Sequence, residues 1–104
     1  MRDEPLDEAE VDKALQSLPA WNRSGDNTLT AGFRGDRTRA AELYARIAGL
    51  EDRADHHATV SITYSTFSFT LTTHDSGNRI TRRDTELAQE LTGVCAEYGY
   101  APVQ

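Results

Sequence analysis

At 104 residues and 11.5 kDa the chain has room for one hydrophobic core, which can bury somewhat over ~60% of the surface that the unfolded chain exposes. Its 11 basic and 17 acidic side chains leave a net charge of −6, so it lacks the clustered Lys and Arg that nucleic-acid phosphates or anionic membrane surfaces require. A single cysteine, Cys95, cannot close an internal disulfide; the longest uncharged run, Ala58 to Thr73, is too short and too rich in Ser and Thr to span a bilayer; and Met1-Arg2-Asp3-Glu4-Pro5 has neither the basic flank nor the apolar stretch of a signal peptide. These features predict one soluble, acidic domain over residues 1–104 in a reducing cytoplasm.

Along the chain, Leu6, Val11, Leu15 and Leu18 are spaced as one face of a short helix over Asp7 to Leu18, with acidic residues at its start and Pro19 to end it. Ala20 to Arg23 reads as a brief strand, Ser24-Gly25-Asp26-Asn27 as a turn, and Thr28 to Arg34 as the returning strand, with Leu29, Ala31 and Phe33 on one face. Asp36-Arg37-Thr38-Arg39 opens a second helix whose apolar stripe is Ala40, Leu43, Tyr44, Ile47 and Leu50.

Ala58 to His74 carries the strongest strand signal: Val60, Ile62 and Tyr64, then Phe67, Phe69 and Leu71, alternate with Ser and Thr. The apolar parity switches between Tyr64 and Phe67, which predicts a tight turn or bulge near Ser65-Thr66. Asp75 to Asn78 is a loop. Thr81 to Glu86 begins a last helix with Leu87, Leu91, Val94 and Cys95 inward, ending before Gly99. The order predicts an α+β fold: a four-stranded antiparallel sheet with three helices on one face and a polar face (Ser61, Thr63, Ser68, Thr70, Thr72) left open.

All three histidines, His56, His57 and His74, fall within nineteen residues, bracketed by Asp52, Asp55, Asp75 and Asp84. The first two stand where a helix gives way to a strand and the third where a strand ends, so neighbouring strands would bring them to one rim. Three readings fit: solvated surface histidines, a zinc or iron site, or metal-free acid–base catalysis. Against a metal, no His-x-His or His-x3-His spacing puts two imidazoles on one face of an element.

Asp52-Arg53-Ala54-Asp55-His56-His57, then Tyr64 seven residues after His57, His74 seventeen after it, and Asp84 together resemble the signature of the pterin-4a-carbinolamine dehydratases. Trp21, Phe33 and the Thr81-Arg82-Arg83-Asp84 helix start extend the resemblance over nearly the whole chain. The departures are Ala58 for the family's usual proline, which predicts a looser hold on His57, and the loop Gly77-Asn78-Arg79-Ile80-Thr81, one residue longer, which predicts a shift of Asp84 relative to His74. Gly35 also replaces an expected aromatic, and Asp52 a common glutamate.

The resemblance implies dehydration of a 4a-hydroxytetrahydropterin to the quinonoid dihydropterin in tetrahydrobiopterin recycling, with no metal and no cofactor. It implies His56 and His74 as acid and base on the two sides of the 4a carbon and His57 orienting the ring. Asp52 and Asp84 would hold imidazoles, and Thr72, Thr73, Asp55 and Asp75 would line the pterin pocket. It also implies a homodimer or homotetramer, in keeping with an exposed sheet edge. The alternative within the same fold is a non-catalytic protein-binding scaffold, acting as a dimerisation cofactor or an assembly chaperone. Cys95, on an apolar helix face, reads as a small buried hydrophobe.

Overall fold

Three helices lie on one face of an antiparallel sheet in the computed structural model, which describes residues 4–25 and 27–103. Met1, Arg2 and Asp3, part of the stretch read for a leader, and Asp26 of the expected turn lie outside the described residues. Helix α1 (Glu8–Gln16) is held at its start by reciprocal capping: Asp7 Oδ1 accepts the Glu10 N–H at 2.8 Å and Glu10 Oε1 accepts the Asp7 N–H at 2.9 Å. Such caps contribute about 0.5–2 kcal/mol. Strands β1 (Asn22–Ser24) and β2 (Thr28–Arg34) form the first hairpin. Asp36 then caps a 3₁₀ turn, Arg37–Arg39, that leads into α2 (Ala40–Ala54). Strands β3 (Thr59–Thr63) and β4 (Thr66–Leu71) form the second hairpin, α3 (Arg82–Glu97) follows, and β5 (Ala101–Pro102) closes the order.

The sheet runs β1-β2-β4-β3, so β4 lies at its centre and β3 at an edge. The register explains the parity switch. Thr63 pairs with Thr66, leaving a two-residue turn at Tyr64-Ser65, one position earlier than expected, with Tyr64 at φ 54°. A turn of this length places Ile62 opposite Phe67 and Val60 opposite Phe69, so all four point to the side of the sheet on which the helices lie. Ser61 and Ser68 stand opposite each other on the open face, both exposed.

Leu29, Phe33, Phe67, Phe69 and Leu71 of the sheet pack against Leu43 and Ile47 of α2 and Leu87 and Leu91 of α3, all essentially without solvent contact. Trp21 lies just before β1, stacked on Phe69 at 6.1 Å between centroids, and its Nε1–H donates to Thr92 Oγ1 at 2.8 Å. That bond satisfies the one polar atom of an otherwise apolar side chain.

Two expectations need correction. Tyr44, placed on the inward stripe of the second helix, is exposed, as is Ile62. The buried stripe of α2 is only Ala40, Leu43 and Ile47 among its apolar residues, because β3 lies at the edge of the sheet and the helix does not cover it. The second correction is β5, a fifth strand that pairs with Phe33 and Arg34 of β2. Two residues, one of them a proline, carry no readable periodicity.

β5 also accounts for Gly35. The Tyr100 side chain that precedes the strand is buried edge-on against Phe67 at 5.5 Å, and its hydroxyl donates to the Asp36 carbonyl at 2.6 Å. A Cβ at position 35 would meet the Tyr100 ring at 2.5–2.8 Å. Glycine at position 35 is what makes room for the Tyr100 ring. Gly35→Ala is expected to lower stability by about 1–3 kcal/mol through overpacking, measured as a lower midpoint in urea; an unchanged midpoint would show that the ring can move aside.

Cys95 is fully buried on α3, and burial pushes its thiol up to about 12. With essentially no thiolate available, the native protein is expected to leave DTNB unreacted at pH 8 and to react with one equivalent in denaturant. Rapid native labelling would show that α3 opens readily.

Candidate active site

Helix α2 ends with Asp55 in the left-handed region at φ 51°, a conformation that the short polar Asp side chain tolerates better than most. The chain turns there, and the next two residues enter different surroundings: His56 is 8% exposed, whereas His57 is open to solvent. Because β3 and β4 are antiparallel neighbours, the start of β3 and the end of β4 share one end of the sheet. That pairing brings His74, which opens a 3₁₀ turn (His74–Ser76) after β4, towards the His-His pair.

His56 reaches under α3, where its Nε2–H donates to Asp84 Oδ1 at 2.6 Å. Asp84, 0% exposed, spends its other oxygen, Oδ2, on the Thr73 hydroxyl at 2.8 Å and the Thr81 N–H at 2.9 Å. The Thr81 hydroxyl accepts the Arg83 N–H at 3.2 Å and lies 2.7 Å from the Thr73 hydroxyl. A carboxylate only accepts, so Thr73 gives its proton to Asp84 and Thr81 gives its own to Thr73. This chain of donors leaves His56 with its proton on Nε2 and with Nδ1 as the nitrogen not claimed by Asp84. Asp84 therefore caps α3 as the last residue of a Thr-x-x-Asp capping box and grips His56 at the same time.

His74 is held the opposite way round. Its Nδ1–H donates to Asn78 Oδ1 at 2.6 Å, which leaves Nε2 for another partner. Asn78, at φ 58°, belongs to the lengthened loop, and the Thr73 N–H donates to the Arg79 carbonyl at 2.9 Å to tie that loop back. Asp84 thus serves His56, and the loop provides His74 with Asn78. His57 is only loosely engaged, with Asp52 Oδ1 at 3.3 Å and both side chains in solvent, where such a pair contributes little.

All three histidines line one open cavity of about 160 Å³, together with Asp55, Thr73, Asp75 and Arg83. Of the other expected residues, Asp84 lies beneath the cavity and Asp52 behind His57. Thr72 is turned away, its hydroxyl donating to the Asn27 carbonyl at 2.7 Å. Tyr64, the aromatic of the signature, stands at the far end of the β3–β4 hairpin, 73% exposed, with the Arg37 guanidinium 5.5 Å from its ring. Trp21 and Phe67 are core residues. A larger cleft of about 400 Å³ beside α1 carries Arg23 and Arg79 but no histidine. Among the described residues, no three His, Cys, Asp or Glu side chains converge as a cation-binding group.

Three residues here escaped the sequence reading. Arg83 lines the cavity and donates to the Asp55 carbonyl, joining α3 to the end of α2. Asn78 carried a usable signal, an αL-tolerant residue four after a histidine. Thr81 carried another, the capping-box spacing to Asp84.

Comparison with known proteins places the chain in a family. The family model described as pterin 4 alpha carbinolamine dehydratase matches residues 4–94. A Streptomyces avermitilis protein provisionally assigned as a pterin-4-alpha-carbinolamine dehydratase is 31% identical over 96 residues, spanning 92% of this chain and 95% of that one. A Nocardia farcinica protein with the same provisional assignment is 37% identical over 91 residues, spanning 88% of this chain and 95% of the relative. Among solved structures, a transcriptional coactivator/pterin dehydratase from Brucella melitensis superposes with a TM-score of 0.81 at 29% identity, over 88% of this chain and 98% of that one. With matching extending over most of its length, the chain belongs to the pterin-4-alpha-carbinolamine dehydratase family.

Proposed function

We propose that this protein dehydrates 4a-hydroxytetrahydropterins to quinonoid dihydropterins, in the recycling of tetrahydrobiopterin within the cytoplasm. The carrying observation is that His56 and His74 line one cavity, each with one ring nitrogen committed to a protein acceptor and the other left over. In the reaction, the C4a–O bond breaks as its oxygen takes a proton and leaves as water, while the neighbouring N5 gives up a proton and the C4a=N5 bond forms. At the nitrogens left over, Nδ1 of His56 and Nε2 of His74, the reaction needs one ring neutral, to take the N5 proton, and the other protonated on both nitrogens, to give one to the leaving oxygen. His57, exposed and loosely held, is suited to contacting the ring, with Asp55, Asp75, Thr73 and Arg83 around it. The family membership supports this reading, and none of the steps requires a metal. Dehydration followed in the ultraviolet tests it: wild-type activity is expected to survive exhaustive EDTA treatment. Activity absent from the wild type, or lost with one equivalent of tightly bound metal, would sink the proposal.

The proposal extends to a homodimer or homotetramer. β3 is an edge strand, and Ile62 and Tyr44 stand exposed beside it. Unpaired strand edges flanked by apolar side chains favour pairing with a second copy. Light scattering at micromolar concentration is expected to give a multiple of 11.5 kDa; a monomer would remove this part. The same surface favours the second reading, a protein-binding scaffold, and the Brucella melitensis relative carries a coactivator name. That reading expects full retention of partner binding, and no loss of any function, when the histidines are replaced.

A further inference from the structure

Glu51 is a carboxylate that the proposed chemistry leaves unused, yet it is only 6% exposed, in the last turn of α2. Acidic side chains are rarely buried without a partner. Its partner is a backbone group: the Ala58 N–H donates to Glu51 Oε2 at 2.8 Å. The carbonyl of the same residue accepts the His56 N–H at 3.2 Å, the closure that ends α2 around left-handed Asp55. One residue therefore holds both ends of His56-His57-Ala58, the first through its main chain and the last through its side chain. Where a proline at position 58 would stiffen this exit by its ring, the chain keeps an N–H there and ties it down.

We propose that Glu51 is a positioning residue of the site, bracing the backbone from which the His56 and His57 rings project. The inference rests on the reading of those imidazoles as reacting and ring-orienting groups. Asp84 sets the ring of His56; Glu51 sets the main chain beneath both rings. Displacements of about 1 Å at a proton-transfer group lower rates by up to about 10²-fold, which is the scale at which such a brace acts.

The test compares wild type with Glu51→Gln, Glu51→Met, Ala58→Pro and the Glu51→Met/Ala58→Pro double variant. Gln keeps an acceptor, Met keeps volume without one, and Pro removes the donor. The readouts are the Ala58 amide and the His56 and His57 ring resonances by NMR, which need no substrate, and kcat and KM. Glu51→Met is expected to shift the Ala58 amide and the His57 ring signals and to lower kcat about 10–100-fold in protein that remains folded. Glu51→Gln is expected to stay within about threefold of wild type. The double variant is expected to lose no more than the worse single one, because both singles break the same bond. Unchanged ring signals with kcat within twofold in Glu51→Met, or losses that multiply in the double variant, overturn the brace. Should Glu51→Met not fold, Glu51→Leu, likewise without an acceptor, carries the same comparison. A wild type without dehydratase activity would remove the catalytic reading alone, since the NMR arm still decides whether Glu51 holds the histidine pair.

Discussion

His56→Ala and His74→Ala are each expected to lower kcat for 4a-hydroxytetrahydropterin dehydration by about 10²–10⁴-fold, the usual contribution of a positioned acid or base. Each variant removes the nitrogen left free after Asp84 or Asn78 has taken the other. His57→Ala is expected to act more on KM, since a ring-orienting contact is made in the ground and transition states alike. His57 is also the one imidazole whose protein partner is distant and solvent-exposed, so its loss leaves the other two in place. Steady-state kinetics on the three variants decide the matter. If His56→Ala and His74→Ala both match wild type, acid–base catalysis at this cavity is excluded and the scaffold reading remains.

Asp84 is expected to separate stability from catalysis. Asp84→Ala removes the common acceptor of the His56 Nε2–H, the Thr73 hydroxyl and the Thr81 N–H, all in a buried setting. Stranding buried donors costs about 1–3 kcal/mol each, only partly recovered by rearrangement, so a loss of roughly 3–5 kcal/mol is expected. That is a large share of the ~5–15 kcal/mol typical of a domain, and the thermal midpoint should fall by well over ~10 °C. Asp84→Asn is the sharper experiment. Its amide can keep the carbonyl oxygen towards Thr73 and Thr81, preserving the cap, only by turning its NH₂ towards His56. His56 must then accept at Nε2 and carry its proton on Nδ1, which reverses the role of the nitrogen left over for the substrate. The expected result is a protein within about 1–2 kcal/mol of wild-type stability whose kcat falls at least ~10²-fold. Equal kcat in Asp84→Asn and wild type would reduce Asp84 to a helix cap.

Much of the fold was legible because its signals are local. Alternation in Thr28 to Arg34 and Phe67 to Leu71 and the stripe of Leu43 and Ile47 each report a period that repeats within a few residues. β5 was invisible because it exists only through its pairing with β2. Tyr44 and Ile62 satisfied the period of a buried face, and only the edge position of β3 left that part of the face uncovered.

The candidate site divides along the same line. The sequence by itself determined the candidate reacting groups: three imidazoles with their carboxylates, at spacings that an antiparallel β3–β4 hairpin carries to one end of a sheet. Tertiary structure alone decided how each is held. It put Asp84 rather than solvent on His56, gave His74 an asparagine from the loop after β4, and turned the Thr72 hydroxyl towards Asn27. It also made Glu51 and Ala58, adjacent to the motif but outside it, partners across the histidine pair. The physical reason is that residue type sets which protons a side chain can exchange. Which nitrogen is free to exchange one depends on acceptors such as Asp84, 28 residues away in sequence, that only the folded chain brings within 3 Å.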